Sequence, residues 1–258
     1  MKTQILYEDK DLLVVQKPAG LAAQTVRVGQ QDVVSELKNY LAAQEASDRR
    51  GNDRSGGKQK LPYIGIIHRL DQPVEGLLIF AKNRSSAAAL TAQLNGSGES
   101  GTLHKHYYAV FCGKAPAKEG TLVDYMYKDD SRRAVVLKKE QSGGKSKAKR
   151  AVLHYLVLQE RTVQGNLLSL ADVEIETGRF HQIRAQMAHA GMSLLGDAKY
   201  ADASAQALSK QMKIQNAALC AYSLEFVHPN TKQKMQFRIT PQGNAFLFFD
   251  FPLFTTSV

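Results

Sequence analysis

The sequence predicts one α+β domain: a mixed, mainly antiparallel sheet with flanking helices, spanning residues 1–258. Strand-length apolar runs recur along the chain and outnumber helical patterns, so sheet has to supply most of the core. Gly, Pro and Asn clusters separate these runs, as turns require. A chain this long buries about 70–75% of its extended surface on size scaling, so neither metal nor disulfide is needed to hold it. No internal repeat or coiled-coil heptad competes with this reading.

Taken in order, residues 11–16 (DLLVVQ) read as a strand closed by the Lys17-Pro18-Ala19-Gly20 turn. Residues 44–60 are nearly devoid of apolar side chains and read as an exposed loop. The apolar runs 63–67 and 76–82 are strands, and they bracket His68-Arg69-Leu70-Asp71-Gln72-Pro73, which places Asp71 in a loop between them. An alanine-rich stretch at 85–94, opening on a Ser cap, predicts a helix. Strands follow at 104–111, 152–159 and 166–176, with an exposed basic loop at 138–150. The Thr177-Gly178 break precedes a helix over 179–189 whose Phe180, Ile183 and Met187 are spaced to face a core. Residues 222–226 and 234–239 flank His228-Pro229-Asn230-Thr231 and predict a hairpin.

Charge narrows the partner class. The formal net charge is +10, and residues 128–150 hold nine basic residues against three acidic ones, so +6 of it sits in one stretch. Clustered positive charge suits a polyanion, because each neutralised phosphate releases counterions. A solvated loop is the bland alternative. An anionic membrane surface is disfavoured, since no basic amphipathic helix is present. The start is acidic, with Glu8, Asp9 and Asp11, and no apolar run approaches the roughly 20 residues of a membrane span, so a cytoplasmic protein is expected. Cys112 and Cys220 lie far apart and form no Cys-x-x-Cys pair, which fits a reducing compartment and two buried small hydrophobes.

Several constellations could carry chemistry. Asp71 lies beside Arg69 and His68 between buried strands, where a carboxylate stays ionised only with a cation or hydrogen-bond donors nearby. Taken alone, the pattern more often describes a structural Arg–Asp pair than a catalytic one. Asp71 and Glu75 admit a paired-acid reading for glycoside chemistry, although Pro73 disfavours the helix that would set their spacing. His104-x-His106 places two rings on one strand face, but no carboxylate or cysteine accompanies them at ligand spacing, so no metal is expected. Thr177 to Arg184 leads a Gly turn into a helix N-terminus, suited to a phosphate or simply an ordinary cap.

Together these stretches become specific. HRLDQPVEGLLIFAK (68–82), KHYYAV (105–110) and TGRFHQIRAQMAHAGMSLLGDAKY (177–200) resemble, in order, the three signature regions of the RluA family of pseudouridine synthases. YEDKDLLVVQKPAGL (7–21) is similar to the family's opening strand and turn, and residues 224–241, with His228-Pro229, to its closing hairpin. The resemblance implies the pseudouridine synthase fold with a central RNA-binding cleft, and a stand-alone catalytic domain with no S4 domain. It implies isomerisation of uridine to pseudouridine in ribosomal or transfer RNA, which calls for no redox cofactor, metal or second substrate. Asp71 would be the nucleophile or electrostatic partner, Arg184 the cation that keeps it ionised, and Tyr107 the residue beside the uracil that handles a proton. Tyr108 would point to the opposite face. Arg69 would fill the stack that the flipped base vacates, with His68 beside it. Arg179, His181, Lys145, Lys147, Lys149 and Arg150 would hold the RNA backbone.

A monomer with no obligate protein partner is expected. Glu75, Gln186 and Cys220 stand where Ser, His and His are common in the family, departures that bear on substrate rather than chemistry. Two other functions compete: a catalytically silent RNA-binding module, and a carboxylate hydrolase of free nucleosides or glycosides that uses Asp71 and Glu75.

Overall fold

Period-two alternation along the central strands decides the architecture. In the computed structural model, which describes residues 1–25, 29–49, 62–96, 103–139, 142–143 and 146–252, the chain forms β1 (Gln4–Glu8), β2 (Leu12–Lys17), α1 (Val33–Arg49), β3 (Gly65–Ile66), β4 (Glu75–Ala81) and α2 (Arg84–Leu94). It continues through β5 (His104–Cys112), β6 (Glu119–Lys128), β7 (Ala134–Leu137), β8 (Ser142–Gly143), β9 (Ser146–Lys147), β10 (Lys149–Val163) and β11 (Asn166–Ile175). It closes with α3 (Gln182–His189), α4 (Ala203–Gln211), β12 (Leu219–Val227), β13 (Lys234–Arg238) and a 3₁₀ turn (Asn244–Phe248).

Eleven strands join one mixed sheet in the order β1-β2-β4-β12-β5-β11-β10-β6-β7, with β13 added to β12 and β3 to β4. The β4–β12 pair is parallel, and the other named pairs are antiparallel. Because strand side chains alternate, Leu13, Val15, Leu78, Phe80, Tyr107 and Ala109 enter one core, which α1 covers with Leu37 and Leu41 and α3 with Ile183 and Met187. Their neighbours Leu12, Val14, Leu77, Ile79, Tyr108 and Val110 enter a second core under Leu90 of α2, Leu208 of α4 and Phe246. An α+β fold with helices on both faces of a mixed sheet results.

Local chemistry fixes the joints. The β10–β11 hairpin pairs Val163 with Asn166 across Gln164-Gly165. Both turn residues have positive φ, the primed geometry that matches strand twist. At Gly76 (φ +130°) a Cβ would lie 2.5 Å from the backbone N and O of Ala221, so only glycine lets β4 and β12 approach this closely.

Several expected elements differ. The strand over 63–67 shrinks to the two residues of β3. The helix expected from Ser85 starts at Arg84, because Asn83 accepts from the backbone N of Ser86 (2.8 Å) and is the cap. Residues 44–49 are helical rather than loop: α1 is anchored by Val33, Leu37 and Leu41, and good helix formers carry it past the core. Residues 50–60 of that expected loop lie outside the described residues. Within 138–150, Lys149 and Arg150 already belong to β10. Phe180 does not face a core, since α3 begins only at Gln182 and Phe180 is 39% exposed. Cys220 is buried as expected, whereas Cys112 is only half-buried.

Candidate active site

The turn that follows β2 holds the loop that carries Asp71. Lys17, with no exposed surface, donates to the carbonyls of Pro18 (3.0 Å), Leu21 (2.7 Å) and Gln72 (3.1 Å), which engages all three N–H bonds of the ammonium. Burial pulls the Lys17 amine down to about 7, opposed by the charges of Asp71 and Glu75. Gly20 N also donates to Gln72 O (2.8 Å), and Gln72 Nε2 returns a bond to Gly20 O (3.0 Å). The residue next to Asp71 is therefore tied by three hydrogen bonds.

Arg184 reaches Asp71 from α3. Its guanidinium grips Asp197 through Nε and Nη2, both at 2.7 Å, and its remaining fork donates from Nη1 to Asp71 Oδ2 at 2.9 Å. Burial works against the Arg184 charge, but hydrogen bonds and charge from Asp197 and then Asp71 more than offset it and push its pKa up. Asp197 is buried too; Arg184 and the backbone N–H groups of Lys199 and Tyr200 hold its carboxyl below the usual range. The bidentate grip fixes the plane of the guanidinium, so it presents one donor to Asp71 in a set direction.

His181 stands on the other side of the same carboxylate oxygen, with Nε2 3.7 Å from Asp71 Oδ2. It caps α3 in a left-handed conformation (φ 53°). Its Nδ1 lies 2.7 Å from Tyr200 Oη, and that hydroxyl accepts from Ala134 N (2.8 Å), so the phenol proton is directed at Nδ1. Burial, then the positive charges of Arg184 and Lys199, pull the imidazole down to about 4 against the pull of Asp71. A neutral ring with Nδ1 as acceptor carries its proton on Nε2, toward Asp71. Tyr107 is 5% exposed on β5, and burial, then the Asp71 charge, pushes its hydroxyl pKa up, so it stays a protonated phenol.

Asp71, Tyr107, Arg184, His181, Arg69, His68 and Arg179 all line one cleft of about 780 Å³. Arg69 is exposed on it. His68 is part of the wall: its Nε2 is shut off from solvent without a partner, and burial, then Lys105, depresses its pKa strongly. Arg179 donates from Nε to Arg150 O (2.9 Å), which ties the cleft's edge to the start of β10. Lys147, Lys149 and Arg150 are exposed but do not line the cleft, and Lys145 lies outside the described residues.

The paired-acid reading fails on geometry. Glu75 points away, buried, accepting from Gln242 N (3.1 Å) and Gly243 N (2.9 Å), and burial pushes its carboxyl up. Cys220 is its neighbour in register, and Gln186 donates to Asp124 Oδ2 (2.8 Å). None of these three departures lines the cleft.

His104 and His106 each face one carboxylate of β11, Glu174 at 3.5 Å and Asp172 at 3.2 Å. Asp9, Asp11 and His228 do converge as a ligand-like group. However, His228 Nδ1 accepts from Asn230 N and Thr231 N, so its Nε2 carries the proton that goes to Asp9 (2.7 Å) and offers a metal no lone pair.

Asp197 and Tyr200 are the site residues that sequence reasoning missed. Both sit in the GDAKY end of the third quoted block, with no periodicity or charge pattern of their own. A buried arginine needing a second carboxylate was the available signal.

Comparison with known proteins bears on the family and the fold. Residues 11–189 match the family model described as RNA pseudouridylate synthase. The chain is 33% identical over 229 residues to the uncharacterized RNA pseudouridine synthase YhcT of Bacillus subtilis, covering 89% of this chain and 65% of that protein. It is 32% identical over 248 residues to ribosomal large subunit pseudouridine synthase D of Zymomonas mobilis, covering 95% and 71%. It thus spans about two thirds of the length of these relatives. Among solved structures, human RNA pseudouridylate synthase domain containing 4 shares the fold with a TM-score of 0.66 at 21% identity over 95% of this chain and 92% of that one. Human domain containing 1 gives 0.63 at 20% over 93% and 83%. The matched span carries Asp71, Tyr107 and Arg184 alike, and the chain belongs to the RNA pseudouridylate synthase family.

Proposed function

We propose that the protein isomerises uridine in ribosomal or transfer RNA to pseudouridine, with Asp71 as the catalytic carboxylate and Tyr107 and Arg184 completing the site. The observation that carries the reading is the Asp71–Arg184–Asp197 chain at 2.9 and 2.7 Å on the floor of the cleft. A carboxylate held in this way is aimed before the reaction starts, with no reorganisation left to do.

Isomerisation breaks the bond from ribose C1′ to uracil N1, turns the ring, and joins C1′ to C5; the C5 proton is lost and N1 gains one, so atoms balance without a second substrate. Asp71 supplies the negative group next to the sugar–base junction. Tyr107, kept as a phenol, sits where it can lie against the uracil and handle a proton. Neutral His181 directs an N–H at Asp71 without adding charge. Extruding a base from folded RNA costs a few kcal/mol, and the exposed Arg69 guanidinium is placed to stack in the space left. Arg179, with Lys147, Lys149 and Arg150 beyond the cleft, would bind phosphates, as would Lys145.

Tritium release from RNA labelled at uracil C5 tests the reading on separate ribosomal and transfer RNA pools. Release from one pool supports it and names the RNA class; no release from either contradicts it. A free-nucleoside hydrolase would instead release uracil from uridine.

A further inference from the structure

We propose that Phe180 is the stacking platform for the base of a nucleotide flanking the target uridine, with Lys128 as the contact for that nucleotide's phosphate. The inference rests on the RNA-isomerase reading and adds to it the surface that grips RNA next to the target.

Phe180 is 39% exposed on a protein whose cores are well filled, and it lines the same cleft as Asp71. Water gains nothing from an exposed phenyl ring in a cleft that Arg69, Lys105 and Arg179 also line, so a ligand with an apolar face and a negative charge is the chemistry that fits. The ring is not loose. It lies face to face on the His181 imidazole, with centroids 3.7 Å apart and planes 22° from parallel. His181 is itself held by Tyr200 Oη at 2.7 Å, and the Tyr200 ring stands edge-on to it at 5.6 Å. A stack anchored in this way is pre-oriented, which lowers the entropy lost when a further ring joins it.

The Lys128 ammonium sits over the Phe180 ring, 4.8 Å from its centroid, at the exposed end of β6, and its flexible stem lets it swing aside when a base takes that face. No carboxylate pairs with it among the described residues. A nucleotide offers the ring a planar base in place of the ammonium, and the ammonium a phosphate. The surroundings are cationic: Arg179 precedes Phe180, and Arg133 lies over the Tyr200 ring at 5.3 Å and donates to the Lys199 carbonyl. A base fits this setting where an acyl chain or apolar peptide would not. Position 180 adjoins His181, which faces Asp71, so the bound base belongs to a neighbour of the reacting uridine.

The test uses a nine-nucleotide single-stranded RNA with a central uridine and 2-aminopurine on its 5′ or 3′ side. The full chain is compared with Phe180→Leu, Phe180→Tyr and Lys128→Gln at several salt concentrations. Phe180→Leu keeps an apolar contact to His181 but removes the π face. The expected result is quenching of one labelled position by wild type and Phe180→Tyr, its loss in Phe180→Leu with affinity about ten-fold weaker or more, and single-turnover tritium release at saturating RNA retained. Lys128→Gln should lower the slope of log affinity against log salt by about 0.7. Phe180→Leu that quenches and binds like wild type overturns the platform, and an unchanged salt slope in Lys128→Gln overturns the phosphate contact. No tritium release by wild type from ribosomal or transfer RNA overturns the reading beneath both, which keeps the two failures distinct.

Discussion

Asp71 accepts at one oxygen from an arginine that is already committed, and this division of labour shapes the chemistry of the residues around it. Because Asp197 holds Arg184 in plane, the charge facing Asp71 is fixed in position. The sequence pointed to Asp71, Tyr107 and Arg184 through its resemblance to the RluA family; the residues alone said only that a carboxylate between two apolar runs needs a cation or donors and that adjacent tyrosines on a strand take opposite faces. It did not disclose Asp197 or Tyr200, whose roles come from a long-range fold rather than from spacing. His181 gives a pH prediction. Its folded pKa of about 4 lies below the ordinary 6.5, so the unfolded chain binds more protons between these values. Stability is then present above about pH 6.5 and lost as pH falls toward 4. At about 1.4 kcal/mol per unit, urea unfolding should show wild type losing up to about 3 kcal/mol more than His181→Gln between pH 7.5 and 4. Equal losses would show that the ring is not held neutral.

Elements place these residues through a few tight joints. The parallel contact of β4 with β12 occurs at Gly76, five residues after Asp71, where a Cβ would meet Ala221 N and O at 2.5 Å and φ is +130°. Gly76→Ala should therefore cost about 3 kcal/mol or more, read as a lower urea midpoint with tritium release falling alongside; an unchanged midpoint would show that the two strands part at no cost. The strands were legible because runs such as Leu12 to Val15 are buried on both faces and read as continuous apolar text. Other elements were not. The hairpin of β6 and β7 alternates with polar residues and sits at a half-covered edge. The last turns of α1 are polar all round, and helix 179–189 loses its first turn because His181 adopts a left-handed conformation that no pattern announces. The misplacement of Phe180 follows from that one residue: an extra helical turn would have put its ring in the core.

At the scale of the whole molecule, charge and shape divide the work. A cleft of about 780 Å³ holds the Asp71–Arg184 pair, while the described basic residues of 128–150 do not line it. Neutralising Lys145, Lys147, Lys149 and Arg150 together should flatten the slope of log affinity against log salt by about 3, with single-turnover chemistry at saturation unchanged; a slope equal to wild type would place the RNA backbone elsewhere. Composition located the basic stretch, but its position relative to the cleft depended on where β10 begins. The decisive measurement is single-turnover tritium release from C5-labelled RNA by Asp71→Asn beside wild type, with RNA affinity measured on the same preparations. Loss of release by more than about a thousand-fold, with affinity kept within a few-fold, is the predicted result. Normal release by Asp71→Asn would contradict the role given to Asp71 and with it the chemistry proposed for the cleft.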